Sequence, residues 1–250
     1  MNQLAHQSIL EIQSLHSLPK EFFLGHGIDP ESMGNLTAVD LCESQHLNLG
    51  KFLTALKKAI AANLPETADL HICPPDLLAH YFEATQHAWI REKRFEILQS
   101  FQDFKQNLGK KSDQITELED LFSKASEELV MYLEREELII FPYINSIAQN
   151  PEKLVLFRQP PFDQIAEKIH FLMKEHDRLK ELFDRVSQLT RNYASLKEFG
   201  KGGKELMDKL REFHLQLNEH LELEHRVLFP RVLEPERFSN SSTLEFPHEK

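Results

Sequence analysis

YLEREELIIFP (residues 132–142) and HLELEHRVLFP (residues 220–230) are one segment written twice, 88 residues apart. Leu133 and Leu221, Glu134 and Glu222, Glu136 and Glu224, Phe141 and Phe229, Pro142 and Pro230 fall at the same offsets. Each copy has an upstream partner. His87 precedes Tyr132 by 45 residues, and His176, in MKEHDRLKEL (residues 173–182), precedes His220 by 44. Residues i and i+4 share one face of a helix, about one turn apart. Tyr132 with Glu136, and His220 with Glu224, can therefore each approach one ion, while His87 and His176 add a ligand from facing helices. Among these candidate ligands the copies differ at a single position, Tyr132 against His220.

Outward from the repeat, the pattern is helical. Ile165, Ile169, Leu172, His176, Leu179, Phe183 and Val186 follow a 4-3-4-3-4-3 spacing, and Phe213, Leu217, His220, Glu224 and Val227 do the same. Leu118, Leu121, Ala125, Glu128, Tyr132, Glu136 and Ile139 line up on a third helix, and Leu77, Ala84, His87, Arg91 and Leu98 are compatible with one face of a fourth. His and Glu thus stand where periodicity calls for core residues. A buried carboxylate without a partner is costly, and a bound cation resolves that cost. The repeat's pseudo-two-fold pairs His87 with Tyr132 at one metal and His176 with His220 at the other, with Glu136 and Glu224 bridging. Mixed imidazole and carboxylate ligation suits iron or manganese, and zinc would also accept it.

Four long amphipathic patterns, about 77–106, 114–147, 162–194 and 201–228, are separated by LGKKSD, by SIAQNPEK with RQPP, and by SLKEFGKGG. Four such helices with short connections predict an all-α, up-down-up-down four-helix bundle. Eight Gly in 250 residues agree, since sheets need more turn glycines. Residues 1–68 carry shorter helical patterns broken by Gly27, Asp29-Pro30 and Gly34 and read as a small helical N-terminal domain; Thr37 is a candidate N-cap and Leu49 to Ala62 a second short helix. ADLHICPPD (residues 68–76) reads as a linker, 77–233 as the bundle and 234–250 as a polar tail.

Composition removes several functions. A net charge of −11 argues against nucleic acid as a partner. No run of 18 apolar residues predicts a membrane span, and the first residues lack the basic and apolar regions of a signal peptide. Cys42 and Cys73 are isolated and read as reduced thiols, so the expected compartment is the cytoplasm. No HExxH occurs, and the two Glu-x-x-His pairs of a ferritin-like site, Glu167 with His170 and Glu222 with His225, lie off the inward stripes. His80, His170, His214 and His225 read as solvent-facing or supporting residues without a metal role. Glu128, one turn before Tyr132, and Glu175, next to His176, are candidates to orient ligands or move protons beside the reactive position Tyr132.

His-x3-Glu followed by an aliphatic pair and Phe-Pro, an upstream EHD, and duplication across four helices resemble the hemerythrin-like (HHE cation-binding) domain. The closest resemblance within that group is to the di-iron proteins that repair iron centres and protect bacteria from nitric oxide and peroxide. It extends to EFFLGHGIDPESMGNLTAVDLCESQHLNLGKFLTALKKAI (residues 21–60), similar to that family's N-terminal domain in length and in its Gly-Ile-Asp region. The resemblance implies two iron ions, with or without an oxo bridge between them, held by four His and two bridging Glu. His87, Glu136, His176, His220 and Glu224 match, and the remaining His falls on Tyr132. The family's N-terminal Cys pair is replaced here by Pro30-Glu31-Ser32-Met33. Tyr132 has three readings: a phenolate ligand favouring ferric iron, a neutral phenol swung away from an open position, or an inert aromatic in a decayed site. The implied function is repair of iron–sulfur centres, or reduction of NO or peroxide, with damaged iron–sulfur proteins as partners. The alternatives are an O2 or NO sensor or carrier without turnover, and a di-iron oxygenase acting on an organic substrate.

Overall fold

The computed structural model describes residues 3–65, 68–107, 112–149, 161–194 and 200–233. The described residues are helical, with one isolated bridge, Ser8 to Thr37, outside any strand. Six short helices open the chain: α1 (Gln3–His6), α2 (Ile9–Leu15), α3 (Lys20–Gly25), α4 (Pro30–Met33), α5 (Ala38–Ser44) and α6 (Leu49–Ala62). Their starts follow side-chain chemistry. Ser8 and Glu11 form a reciprocal capping box, Asp29 precedes Pro30 and caps α4, and Thr37 and Asn48 accept backbone N–H bonds at α5 and α6.

The long helices follow. The first runs through α7 (Pro75–Tyr81), a π-helical segment (Phe82–His87) and α8 (Ala88–Asn107). The second runs through α9 (Asp113–Arg135), a π segment (Glu136–Ile140) and α10 (Phe141–Gln149). The third is α11 (Pro161–Leu189); the fourth is α12 (Gly200–Leu223), a π segment (Glu224–Leu228) and α13 (Phe229–Leu233). α8 packs on α9 and α12, α9 on α11, and α11 on α12, which closes the ring of a four-helix bundle. The expected connections at 151–160 and 195–199 and the tail 234–250 lie outside the described residues.

Contacts divide the chain into two compact units. One contains α1–α7, α10 and the end of α13; the other holds Gln86–Ile140 and Gln159–Pro230. The division falls at the π segments and not in the Pro-rich stretch 68–76, because α7 packs on α6 and α10 and its Asp76 forms a buried ion pair with Lys57.

Two of the π segments have a visible cause. Pro142 and Pro230 have no N–H to donate, and their rings crowd the carbonyl four residues back. Widening the preceding turn relieves both, and the Phe229 N–H bonds to the Glu224 carbonyl, five residues back. The repeated Phe-Pro therefore repeats a local distortion, and each begins at a candidate ligand, Glu136 or Glu224.

Candidate metal centre

All six candidate ligands lie in one compact unit and come together in its interior. His87, Glu136 and Glu224 are fully buried, and Tyr132, His176 and His220 nearly so. The spacing of carboxylate oxygens is the decisive geometry. Glu136 turns Oε2 toward His87 Nε2 (3.5 Å) and Oε1 toward the Tyr132 hydroxyl (3.0 Å). Glu224 turns Oε1 toward His220 Nε2 (2.9 Å) and Oε2 toward both His176 Nε2 (2.9 Å) and the Tyr132 hydroxyl (2.7 Å). Each carboxylate thus gives one oxygen to each of two clusters. In the first, His87, Glu136, His220 and Glu224 offer ligand atoms all within 4.8 Å of one another. In the second, Tyr132 and His176 approach to 2.6 Å between hydroxyl and Nε2.

This pairing differs from the one the repeat suggests. His87 stands beside His220, ring centroids 5.2 Å apart, and Tyr132 beside His176, also 5.2 Å. A pseudo-two-fold maps His87 onto His176 and Tyr132 onto His220, so it maps either pairing onto itself. Symmetry alone had no power to choose; the packing of α8 on α12 and α9 on α11 does.

Two residues that the periodic reading passes over complete the first cluster. His87 Nδ1 lies 2.7 Å from Glu137 Oε1, and the Arg91 guanidinium grips both Glu137 oxygens at 2.8 and 2.9 Å. His220 Nδ1 lies 2.7 Å from Gln86 Oε1. A ligating imidazole commonly donates its other N–H to such a group, which fixes its tautomer. Gln86 and Glu137 are sequence neighbours of His87 and Glu136 inside π segments, where less rotation per residue lets consecutive side chains serve one site. The second cluster is walled differently: Phe229 stacks on His176 at 5.3 Å.

Glu128 and Glu175 are not brought to the centre. The buried stripe of α9 reads Leu118, Phe122, Ala125, Leu129, Tyr132, Glu136, so Leu129 and not Glu128 sits below Tyr132. Glu128 pairs with Arg178 at 2.8 Å, and Glu175 takes Arg135 at 2.6 Å, both toward solvent between α9 and α11. His170 and His225 are exposed as expected, whereas His80 and His214 are buried. His80 packs in the unit containing α6 and α7, with Glu83 3.7 Å from its Nδ1, and His214 receives a buried phenol.

The electrostatics fit a cation. Burial, then the charges of Glu136 and Glu224, push the Tyr132 hydroxyl far above its ordinary value. Burial and the neighbouring Glu224 likewise raise Glu136. Burial would raise Glu224 too, but His220 and His176 overcome it and hold that carboxyl low. Burial lowers His87 toward the neutral ring, and Glu137, which burial alone would raise, is held at about 2 by hydrogen bonds from His87 and Arg91. With Nδ1 of His87 directed at Glu137 and Nδ1 of His220 at Gln86, Nε2 of each ring faces a carboxylate oxygen, Glu136 Oε2 for His87 and Glu224 Oε1 for His220. Neither of those oxygens accepts a hydrogen bond. A cation seated between these nitrogens and oxygens would turn each contact into a ligand bond. Nitrogen and oxygen ligand bonds of about 2.0–2.2 Å put adjacent ligand atoms roughly 3 Å apart, close to the spacings seen. The second cluster makes the same demand, because the single Tyr132 proton faces two carboxylate oxygens and an imidazole nitrogen.

A helical bundle with a buried cluster of His and carboxylate ligands on its long helices defines the hemerythrin class of cation-binding proteins. The Hemerythrin HHE cation binding domain matches residues 84–232, more than half of the chain, and the chain belongs to that family. It is 25% identical over 216 residues to an iron-sulfur cluster repair protein YtfE of Yersinia pestis (strain Pestoides F), covering 86% of this chain and 91% of the relative. A YtfE of Yersinia pseudotuberculosis serotype O:1b (strain IP 31758) is 31% identical over 110 residues, 44% of each chain. No helix among the described residues is long and apolar enough to cross a membrane.

Proposed function

We propose that the bundle holds a carboxylate-bridged pair of iron ions and that the protein repairs iron–sulfur centres damaged by nitric oxide or peroxide in the cytoplasm. The split of both carboxylates between two clusters carries this reading. His87 and His220 would hold one ion, Tyr132 and His176 the other, and Glu136 and Glu224 would span both. Iron supplies redox exchange with small oxidants, and its charge would displace the Tyr132 proton that burial otherwise retains. The family match and the repair relatives support iron over manganese or zinc.

The chain's own residues have separable tasks. Glu137 and Gln86 orient His87 and His220 and keep their Nε2 lone pairs inward. Phe229 covers His176 and excludes water from the Tyr132 side. Arg178 with Glu128 and Arg135 with Glu175 clasp α9 to α11 around the centre. Pro30-Glu31-Ser32-Met33 offers no thiol, so repair would run without cysteine chemistry there. Incubating an NO-inactivated iron–sulfur enzyme with the iron-loaded protein and a reductant tests the reading. Recovery of activity that is lost in His176→Ala is expected. Binding of nitric oxide without turnover, and no recovery, would overturn it.

A further inference from the structure

Outside the centre, the same compact unit holds a second buried polar pair. Tyr193 and His214 are both at least nine-tenths buried, and the Tyr193 hydroxyl lies 2.7 Å from His214 Nδ1. Burial raises the Tyr193 phenol and lowers the His214 imidazole, so the resting pair is a neutral phenol donating to a neutral ring. His214 Nε2 is 3.9 Å from the exposed Asp184 carboxylate, which favours a proton arriving on the ring. The backbone is committed to this placement. Arg191, Asn192 and Tyr193 all have φ between 51° and 59°, three consecutive residues in the left-handed region that side chains other than glycine and asparagine avoid. Thr190 accepts the Tyr193 N–H, and Arg211 holds the Tyr193 carbonyl.

From this pair an unbroken series of ring contacts runs toward the ligand-bearing segments. His214 meets Phe183 at 5.8 Å, Phe183 meets Phe213 at 5.6 Å, and Phe213 meets Trp89 at 5.9 Å. Trp89, the only tryptophan of the chain, is two residues beyond His87. His214 is six residues before His220 on the same helix, about 9 Å along the axis at 1.5 Å per residue. A phenol whose proton already faces a base is the easily oxidised form of tyrosine, because the electron and the proton leave together and no charged phenol is formed.

We propose that Tyr193 and His214 form a redox-active pair that supplies one electron to the metal centre through the Phe183, Phe213 and Trp89 contacts. The inference rests on the metal centre described above. Reduction of a hydroperoxide to an alcohol and water consumes two electrons and two protons. When the centre holds only one electron, Tyr193 gives the second and becomes a neutral phenoxyl radical; its proton passes to His214 Nδ1. A small thiol or ascorbate then returns one electron, and the proton moves back from His214 to the phenol oxygen.

Two arms test it. In metal-free protein, a photo-oxidised ruthenium tris-bipyridine complex serves as the one-electron oxidant, and transient absorption and electron paramagnetic resonance read the tyrosyl radical. The signal is expected in the native protein, lost in Tyr193→Phe, and lost or slowed in His214→Gln, which keeps the phenol but removes the base. A tyrosyl signal unchanged in both variants would overturn the pair. Far-ultraviolet circular dichroism confirms that both variants stay helical. In the second arm, reduced iron-loaded protein is mixed with limiting hydrogen peroxide and freeze-quenched. A radical absent from Tyr193→Phe supports the link to the centre; a radical that persists there and disappears in Tyr132→Phe assigns the electron to Tyr132 and overturns it. Iron content is measured alongside: a chain that binds no iron sinks the metal reading, while the light-driven arm still decides the pair.

Discussion

The two halves of the candidate centre share their carboxylates and little else. On the His87 and His220 side, each imidazole is backed by a polar partner, Glu137 or Gln86, and Arg91 anchors Glu137 in turn. On the Tyr132 and His176 side, the support among the described residues is aromatic, with Phe229 stacked on His176. The first half is built as a pair of imidazoles, each braced by a polar partner. The second offers one nitrogen and a phenol whose oxygen becomes a strong donor only once a cation takes its proton. With two ions bound as proposed, one half would be suited to retain its ion and the other to change its reactivity, within a single bundle and across Glu136 and Glu224.

The largest effect should come from the bridges, because they belong to both halves. Glu224→Ala removes an oxygen from each cluster, and metal analysis of the purified variant should show both ions lost together. His220→Ala should lose the ion of the first half while the Tyr132 side keeps a weakened one. One ion retained at full occupancy in Glu224→Ala would mean that the halves are separate sites and that the carboxylates do not bridge. Because the metal binds the folded state, its loss should also lower the thermal unfolding midpoint; a midpoint equal to that of the loaded native protein would contradict the burial argument.

Much of this arrangement is legible in the sequence. The 4-3 spacing around His176 and His220, the doubled Phe-Pro and the four long patterns suffice for the bundle, and the long helices begin within a residue or two of expectation; their ends depart at two places, where the fourth runs past 228 to Leu233 and where α11 stops at Leu189 short of 194. There the left-handed run Arg191 to Tyr193 ends the helix, and none of those residues is a glycine that would have marked it. The pairing of ligands is not legible, since the internal two-fold permits both choices. Gln86 and Glu137 are hidden because a period of 3.6 turns them away from the site, and only the π segments turn them back. Glu128 misleads for the opposite reason: spacing of three or four admits either Glu128 or Leu129 to the stripe, and apolar burial selects Leu129.

Tyr132 separates the halves spectroscopically. If the hydroxyl ligates, the ferric protein should carry a visible phenolate-to-iron charge-transfer band, absent from Tyr132→Phe. Tyr132→His should restore an imidazole to the second half and give a hemerythrin-like spectrum with both ions retained, if His87, Glu136, His176, His220 and Glu224 are the other five ligands as proposed. A fully loaded ferric protein without the band would show that the phenol stays protonated, leaving the second half with an open position and sharpening the asymmetry further.

The smallest effect tests the polar backing of the first half. Glu137→Gln keeps an oxygen able to accept the His87 Nδ1–H but removes the charge that strengthens that bond and the ion pair with Arg91. Partners of this kind typically contribute about 10–100-fold to metal affinity, so chelator competition should show the first ion weakened within that range. The charge-transfer band of Tyr132 should hold its position, because Glu137 touches His87 and not the phenol. An equal weakening of both ions would mean that Glu137 acts by setting the helix and not the imidazole. An affinity unchanged at the first ion would remove the polar backing from the account of why the two halves differ.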